Sequence, residues 1–517
     1  PAPDPVVVPD PVVTIPVNAV VPDFSQLVVG STTPMTGEFF LSLWGNNTAD
    51  IDVRLLLHDA ATVAWQDEGA YGGNMNILTD MQTTVNTVND DHIFTFTLRD
   101  DLVYSDGSPI TAKDYVFSVL LQSSKELAGL GVTLSAYNEL RGYDRFFSGE
   151  SNVFSGVRLL SDTSFSLAIA GNQLPYFYEL SLVNVAPFPI SVLAPGCDIG
   201  DNGAGAFIEG DFTTALLERT ICDPLTGYRF HPAVTSGAYT LASYDADTRV
   251  ATLELNPYYA GNYQGQKPVI SRIVFRAVKN DDIIPSLHSG EINLVNKVSR
   301  GRVINEGLTG VAIEEYAMAY YLRAGLSFIS FKCDEGLTSS LAIRQALMHC
   351  IDQQAMVDGF LLGYGQTVYG MYGYGQWMVS TQTEAIAELN VYPLDLDAAA
   401  GLFEEAGFRY NAQGGAYENG IRYNADGVAL SFRFAKTAEN AAADEAEALL
   451  RNAFAAVGAD MTTDVLPSAD LMAMYYRQTE NPYDLLFMAS NFTFTFDPYY
   501  TYHTDPAYAV QYNTSGL

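Results

Sequence analysis

One stretch of the sequence, residues 91–118, reads DHIFTFTLRDDLVYSDGSPITAKDYVFS and changes its hydrophobic period halfway along. Phe94, Phe96 and Leu98 alternate with threonine, which is the period of a strand buried on one face. Ser105–Pro109 then combines serine, aspartate, glycine and proline, which favour a tight turn. The first half of the stretch therefore predicts a strand that ends in a turn.

The second half predicts a helix. Thr111 and Asp114 have the spacing of a capping box, with Asp in place of Glu, so a helix should begin near Ala112. Its buried stripe would contain Tyr115, Val119 and Leu120. A strand, a turn and a capped helix in direct succession predict a mixed α/β fold.

Further strands and helices follow along the chain, and from residue 327 onward they alternate as in α/β units. The predicted strands are 236–244, 249–256, 270–278, 292–295, 327–331, 430–434, 461–466 and 483–488. The predicted helices are 283–289, ended by Gly290, 341–360, and 441–457, ended by Gly458.

Length and charge limit the classes of function. A chain of 517 residues should form two or three domains. Lys and Arg total 26 against 60 Asp and Glu, a formal charge of −34, which repels nucleic acid and anionic lipid. We therefore expect no nucleic-acid partner. No run approaches the roughly 20 apolar residues that a spanning helix needs.

The first residues, PAPDPVVVPDPVVTIP, are rich in proline. Proline fixes φ and removes hydrogen-bond donors, so residues 1–26 should form an extended spacer. We expect this spacer to follow a signal segment that has already been removed, which points to an exported protein.

Four cysteines, Cys197, Cys222, Cys333 and Cys350, form no C-x-x-C motif, so zinc and thioredoxin-like chemistry find no support. If the protein is exported, local pairing predicts two disulfides, 197–222 and 333–350. The alternative is four buried thiols.

The sequence contains no nucleotide-binding loop, no G-x-S-x-G motif and no H-E-x-x-H motif, and its six histidines are scattered. Asp245 and Asp247 favour a turn over a calcium site. We therefore predict no cofactor and no metal site. A carboxylate pair for glycoside hydrolysis stays open, since no spacing among the acidic residues singles one out.

Aromatic residues give the positive signal. They concentrate at 364–377, YGQTVYGMYGYGQW, and at 491–502, NFTFTFDPYYTY. Rings interleaved with glycine or threonine suit a cleft wall that buries a ligand. Ordinary core packing explains the same pattern equally well.

Several of these segments together resemble one known family, the extracytoplasmic solute-binding proteins of ABC transporters, in the oligopeptide- and dipeptide-binding group. The stretch 94–118 is similar to the family's strand–turn–helix signature. The other matching segments, in the family's order, are SGAYTLASYDADTRVATLELNPYYAG (236–261), LHSGEINLV (287–295), IRQALMHCIDQQAMV (343–357) and YDLLFMASNFTFTFDP (483–498).

The resemblance implies the two-lobed periplasmic-binding-protein fold of the large, cluster C type. It implies a first lobe at 27–320 with an extra subdomain at about 60–225, a second lobe at 321–490, and a crossover at 491–517. Relatives usually continue well beyond this point, so the family's C-terminal part is expected to be missing here.

The resemblance implies no catalysis: the protein captures a small solute, a peptide by default, by lobe closure and delivers it to an ABC permease in the membrane. The protein would be a monomer outside the cytoplasm, either a cell-surface lipoprotein or periplasmic. Two alternatives remain: a secreted carbohydrate-active hydrolase, and a sensor of the same fold that signals rather than imports.

For the ligand, the resemblance and the aromatic clusters together predict a pocket wall. In peptide-binding relatives, a Trp and then an Asp that pairs with the peptide α-amino group occupy positions matching Asn491 and Phe494 here. Without that carboxylate, a bound ammonium would be left unpaired at high cost. The predicted ligand-binding residues are Phe39, Tyr372, Tyr374, Trp377, Asn491, Phe492 and Phe494.

Overall fold

The computed structural model describes residues 25–492, except 46, 67, 68, 133, 314 and 439, together with Tyr502. The chain divides into two compact units, and the described residues separate at the Val298–Ser299 bond. We call them the N-terminal unit and the C-terminal unit. The lobe boundary expected from the resemblance, between residues 320 and 321, stays a prediction.

The N-terminal unit contains a mixed five-stranded sheet in the order β10-β11-β12-β1-β13 and an antiparallel four-stranded sheet in the order β4-β5-β7-β6. Two hairpins, β2-β3 and β8-β9, accompany them. Its strands are β1 (Gln26–Ser31), β2 (Val63–Gln66), β3 (Ala70–Gly73), β4 (Leu78–Asn86), β5 (Asp91–Leu98), β6 (Val157–Ser161), β7 (Ser164–Ile169), β8 (Asp198–Asp201), β9 (Ala206–Glu209), β10 (Tyr239–Asp245), β11 (Val250–Leu255), β12 (Arg272–Ala277) and β13 (Leu294–Val295). Its α-helices are α1 (Thr48–Leu57), α2 (Ala112–Gln122), α3 (Lys125–Ala128), α4 (Tyr143–Phe147), α5 (Ile190–Leu193), α6 (Thr214–Leu217) and α7 (Ile283–Ser289).

The strand–turn–helix prediction for 91–118 is confirmed. Strand β5 buries Phe94, Phe96 and Leu98, as the alternation requires. Helix α2 begins after Thr111, whose backbone N–H donates to the Asp114 carboxylate over 2.9 Å. The helix is buried on nearly all sides, well beyond the predicted stripe, because it packs inside the largest hydrophobic core of the unit.

The C-terminal unit is built on a four-stranded sheet in the order β14-β17-β15-β16. Strands β15, β16 and β17 are parallel, and β14 runs antiparallel to β17. Its strands are β14 (Gly325–Phe331), β15 (Ser431–Thr437), β16 (Asp460–Leu466) and β17 (Leu485–Asn491). Its α-helices are α8 (Gly301–Ala312), α9 (Leu341–Cys350), α10 (Gln353–Ala355), α11 (Trp377–Thr381), α12 (Thr383–Ala387), α13 (Leu396–Glu405), α14 (Ala441–Val457) and α15 (Ser468–Tyr475).

The predicted helix 341–360 is interrupted after Cys350, and the chain is helical again from Gln353 to Phe360. Ile351 adopts an extended conformation, with φ −90° and ψ 108°, which ends α9. The Asp352 side chain then accepts a hydrogen bond from Ala355 N–H at 2.9 Å and begins a new turn, α10. Aspartate competes with the helical backbone in this way because its short carboxylate reaches the N–H groups ahead of it.

The structure also corrects the disulfide prediction, because all four cysteines are free thiols. Cys350 lies at the end of α9 inside the core, where burial raises the pKa of its thiol to about 12. Cys333 is only partly buried, and its thiol donates to the carbonyl of Phe331 at 3.6 Å. Cys197 and Cys222 are likewise partly buried, so the alternative of four buried thiols holds for Cys350 alone.

Candidate functional site

The glycine–aromatic loop at 372–377 lies directly against the start of strand β14. Gly375 N–H donates to the carbonyl of Arg323 over 2.9 Å. A Cβ atom on Gly375 would stand 2.2 Å from the carbonyl oxygen of Leu322. Glycine therefore allows a close approach between the two backbones that any larger residue would prevent.

The aromatic rings of this loop are held in place by their own contacts. The Tyr372 and Tyr374 rings meet edge to face, with centroids 5.8 Å apart. The Tyr374 hydroxyl donates to the carbonyl of Thr367 over 3.2 Å, and burial beside Tyr372 raises the pKa of Tyr374 to about 12. The buried Gln376 side chain accepts from Gly373 N–H at 2.9 Å. These contacts within the loop stabilise its conformation.

The end of strand β17 pairs with the start of β14, beside the same segment. Gly325 pairs with Asn491, and Phe492 N–H donates to the carbonyl of Ala324 over 2.6 Å. The Arg323 Nε–H donates to Asn491 Oδ1 at 2.9 Å. Residues 323–325 therefore join the loop at 372–377 to Asn491 and Phe492, the first two residues of the second aromatic cluster.

The structure brings five of the seven predicted ligand-binding residues into this part of the C-terminal unit. Tyr372 is buried, Tyr374, Trp377 and Phe492 are half-buried, and Asn491 is exposed. Their role in ligand binding stays a prediction.

The other two predicted residues are placed differently. Phe39 is fully buried in the N-terminal unit, where its ring packs edge-on against Tyr244 with centroids 5.0 Å apart. Its backbone N–H donates to the carbonyl of Arg229 over 2.8 Å. Phe494 lies outside the described residues. Ligand contact by either residue also stays a prediction.

Sequence reasoning missed the segment just before β14. Tyr320, Tyr321 and Leu322 expose 48%, 63% and 44% of their surfaces, and Arg323 follows them. The signal was an apolar run, YYL, without the period of a strand or a helix, and exposed apolar runs mark interaction surfaces.

This group of side chains offers aromatic and apolar contact, an amide and a guanidinium, which suits binding a solute rather than reacting with it. In the part of the chain that the structure describes, no three His, Cys, Asp or Glu side chains are grouped to hold a metal ion. None of the described helices is both long enough and apolar enough to cross a bilayer.

Comparison with known proteins gives one family match. The model of bacterial extracellular solute-binding proteins, family 5 Middle, matches residues 76–509. It describes binding proteins and gives no support to the hydrolase alternative.

Individual relatives agree with the family match. The periplasmic oligopeptide-binding protein OppA of Escherichia coli K12 is 27% identical over 289 residues, which cover 54% of this chain and 46% of OppA. The nickel-binding periplasmic protein of the same organism is 22% identical over 413 residues, which cover 77% of this chain and 64% of that protein. The chain thus spans about half the length of OppA.

Among solved structures, the oligopeptide-binding protein AppA of Bacillus subtilis, in complex with a nonapeptide, superimposes with a TM-score of 0.66 at 18% identity. The match covers 94% of this chain and 82% of AppA. This likeness shows that the chain has the mixed α/β fold of the two-lobed periplasmic-binding proteins.

Proposed function

The chain belongs to the bacterial extracellular solute-binding proteins of family 5, and on this premise we propose that it is the extracytoplasmic receptor of an ABC importer. It captures a small solute, a peptide by default, through closure of its two lobes, and delivers that solute chemically unchanged to a membrane permease. It acts as a monomer outside the cytoplasm, as a cell-surface lipoprotein or a periplasmic protein.

One observation carries this proposal beyond the family: residues 323–325 join the aromatic loop to the end of β17. The solute-contacting residues that we propose there are Tyr374, Trp377, Asn491 and Phe492. Tyr372 supports Tyr374, since its buried ring packs edge to face against the Tyr374 ring. Affinity would arise because closure buries both faces of the solute and selects the closed population.

Recognition of a free peptide N-terminus is not part of the proposal. The described side chain at the end of β17 is an amide, Asn491, which cannot neutralise an ammonium group as a carboxylate does. A desolvated ammonium without a counter-charge would lose affinity. We therefore propose a solute that is held mainly by other groups.

Mass spectrometry of the solute released from the natively purified protein tests the function. We expect one solute class at a near-stoichiometric ratio, which raises the thermal unfolding midpoint when added back. A purified sample that turns over chromogenic glycosides would contradict the receptor function and support the hydrolase instead.

A further inference from the structure

Arg323 is an exposed cation at the point where the backbone segments of the candidate site meet. Its carbonyl accepts from Gly375, and the next carbonyl, of Ala324, accepts from Phe492. The exposed side chains of Tyr321 and Leu322 directly precede it. A guanidinium beside exposed apolar groups suits a solute that has a charged end and an apolar body.

Among its contacts with described residues, the Arg323 guanidinium is held along one edge. Nε–H donates to Asn491 Oδ1 at 2.9 Å, and one Nη nitrogen donates to the carbonyl of Ser490 at 3.3 Å. A guanidinium has five N–H donors, so these two bonds leave the edge formed by the two Nη nitrogens available. That edge matches a carboxylate through two parallel hydrogen bonds.

Among the residues that the structure describes, no carboxylate occupies that edge. Other arginines of the C-terminal unit, among them Arg433, Arg451 and Arg477, pair with acidic side chains. Within the ranges that the structure describes, no acidic side chain forms an ion pair with Arg323. A chain with a formal charge of −34 repels anions in general, so an anionic solute needs a cation fixed where it binds.

We propose that Arg323 binds a carboxylate of the captured solute. Asn491 positions the guanidinium, and Tyr321 and Leu322 contact the apolar part of the solute next to that carboxylate. This proposal rests on the receptor function and narrows it to one solute class: small acids, or peptides held through a carboxyl group, with an apolar portion.

The test uses a tryptic digest of serum albumin, half of it with its carboxyl groups amidated, in equilibrium dialysis against the full chain. We expect the wild-type protein to retain free-carboxyl peptides at least about tenfold better than amidated ones, as the loss of a charged hydrogen bond implies. Arg323→Gln should abolish this preference, and Arg323→Glu should reverse it. Arg409→Gln is the matched control: it removes an exposed arginine that bonds to the carbonyl of Glu404, and it should keep the preference.

Equal retention of both halves by the wild-type protein would overturn the proposal and leave the receptor function standing. So would an Arg323→Gln variant that loses both halves equally together with thermal stability, because Arg323 would then be merely structural. If the wild-type protein retains neither half of the digest, the test uses the solute that is released from the natively purified protein and identified by mass spectrometry. A carboxylate-containing solute that Arg323→Gln no longer retains supports the proposal, and a solute without an anionic group overturns it. If no solute is released or bound, the receptor function itself fails.

Discussion

Gly373 lies so close to Gly325 that a Cβ atom on Gly373 would stand 2.0 Å from the backbone nitrogen of Gly325. Real Cβ atoms do not approach backbone so closely, so Gly373→Ala must displace the loop from β14. We expect a loss of about 1–3 kcal/mol in the free energy of unfolding, typical of overpacking, together with weaker solute binding. Denaturant titration and solute titration measure the two effects.

Gly401→Ala is the control for this prediction. Gly401 lies inside α13 with open space where a Cβ would be, so alanine there should stabilise the protein by about 0.5–1 kcal/mol. If both variants change stability alike, the close approach of the loop to β14 is wrong.

Trp377→Ala and Asn491→Ala should each weaken binding of the co-purified solute about tenfold or more, because truncating a central contact typically costs over 1 kcal/mol. Neither variant should unfold, since Trp377 is half-buried and Asn491 is exposed. Isothermal titration and thermal unfolding measure both quantities.

Trp65→Ala is the control for Trp377→Ala, because it removes the same side chain elsewhere in the protein. Trp65 lies on β2 in the N-terminal unit, where its ring packs against Tyr71 at 5.0 Å, and its loss should leave affinity unchanged. Unaltered affinity in both site variants would reject the placement of the site.

His58 should make the N-terminal unit sensitive to acid. Burial lowers the pKa of its ring to about 4, although the ring donates a hydrogen bond to the carbonyl of Phe39 over 2.9 Å. Between pH 6.5 and 4, His58 is therefore protonated in the unfolded chain but neutral in the folded protein. The free energy of unfolding consequently falls as the pH falls through this range. Thermal unfolding midpoints across this range should decline less steeply in His58→Gln. Parallel declines in the two proteins would show that His58 is not responsible.

Glu447 should contribute stability that acid removes at lower pH. Burial alone would raise its pKa, but hydrogen bonds from Lys436, Thr463 and Arg451 outweigh burial and hold the pKa at about 2. Its lowered pKa stabilises the fold above pH 4.5 and loses that effect as the pH falls towards 2. Glu447→Gln should therefore lower the free energy of unfolding by about 1–3 kcal/mol at pH 7, and by roughly half as much near pH 3.

Glu445→Gln, at an exposed position of the same helix, should change stability by less than about 0.5 kcal/mol. If Glu447→Gln lowers the free energy of unfolding equally at pH 7 and pH 3, then the charge of Glu447 is not what stabilises its contacts with Lys436, Thr463 and Arg451.

Lobe closure predicts that small-angle scattering detects a smaller radius of gyration when saturating solute is added. The Trp377→Ala variant should contract only at higher solute concentration, because its affinity is lower. An unchanged radius of gyration in the wild-type protein at saturation would count against closure.

The sequence predicted the bounds of two helices accurately, because clear residue patterns mark where each one begins and ends. Helices 283–289 and 441–457 have the predicted bounds, and the glycines that follow them, Gly290 and Gly458, adopt φ of 74° and 78°. These boundaries depend on residues within one helical turn, which is why reading along the chain was enough. The helix predicted over 341–360 is not continuous, because Ile351 is extended and the Asp352 side chain begins a new helical turn.

The sequence by itself determined the mixed α/β class, the family resemblance and the two aromatic clusters, because each can be recognised from residues that are close together along the chain. Only the tertiary structure decided that the loop at 372–377 and the end of β17 meet at residues 323–325, that the cysteines stay unbridged, and that Arg323 contacts Asn491. Those two residues are 168 positions apart. Which distant side chains become neighbours depends on the order and register of strands in a sheet, and no local period of hydrophobicity encodes that.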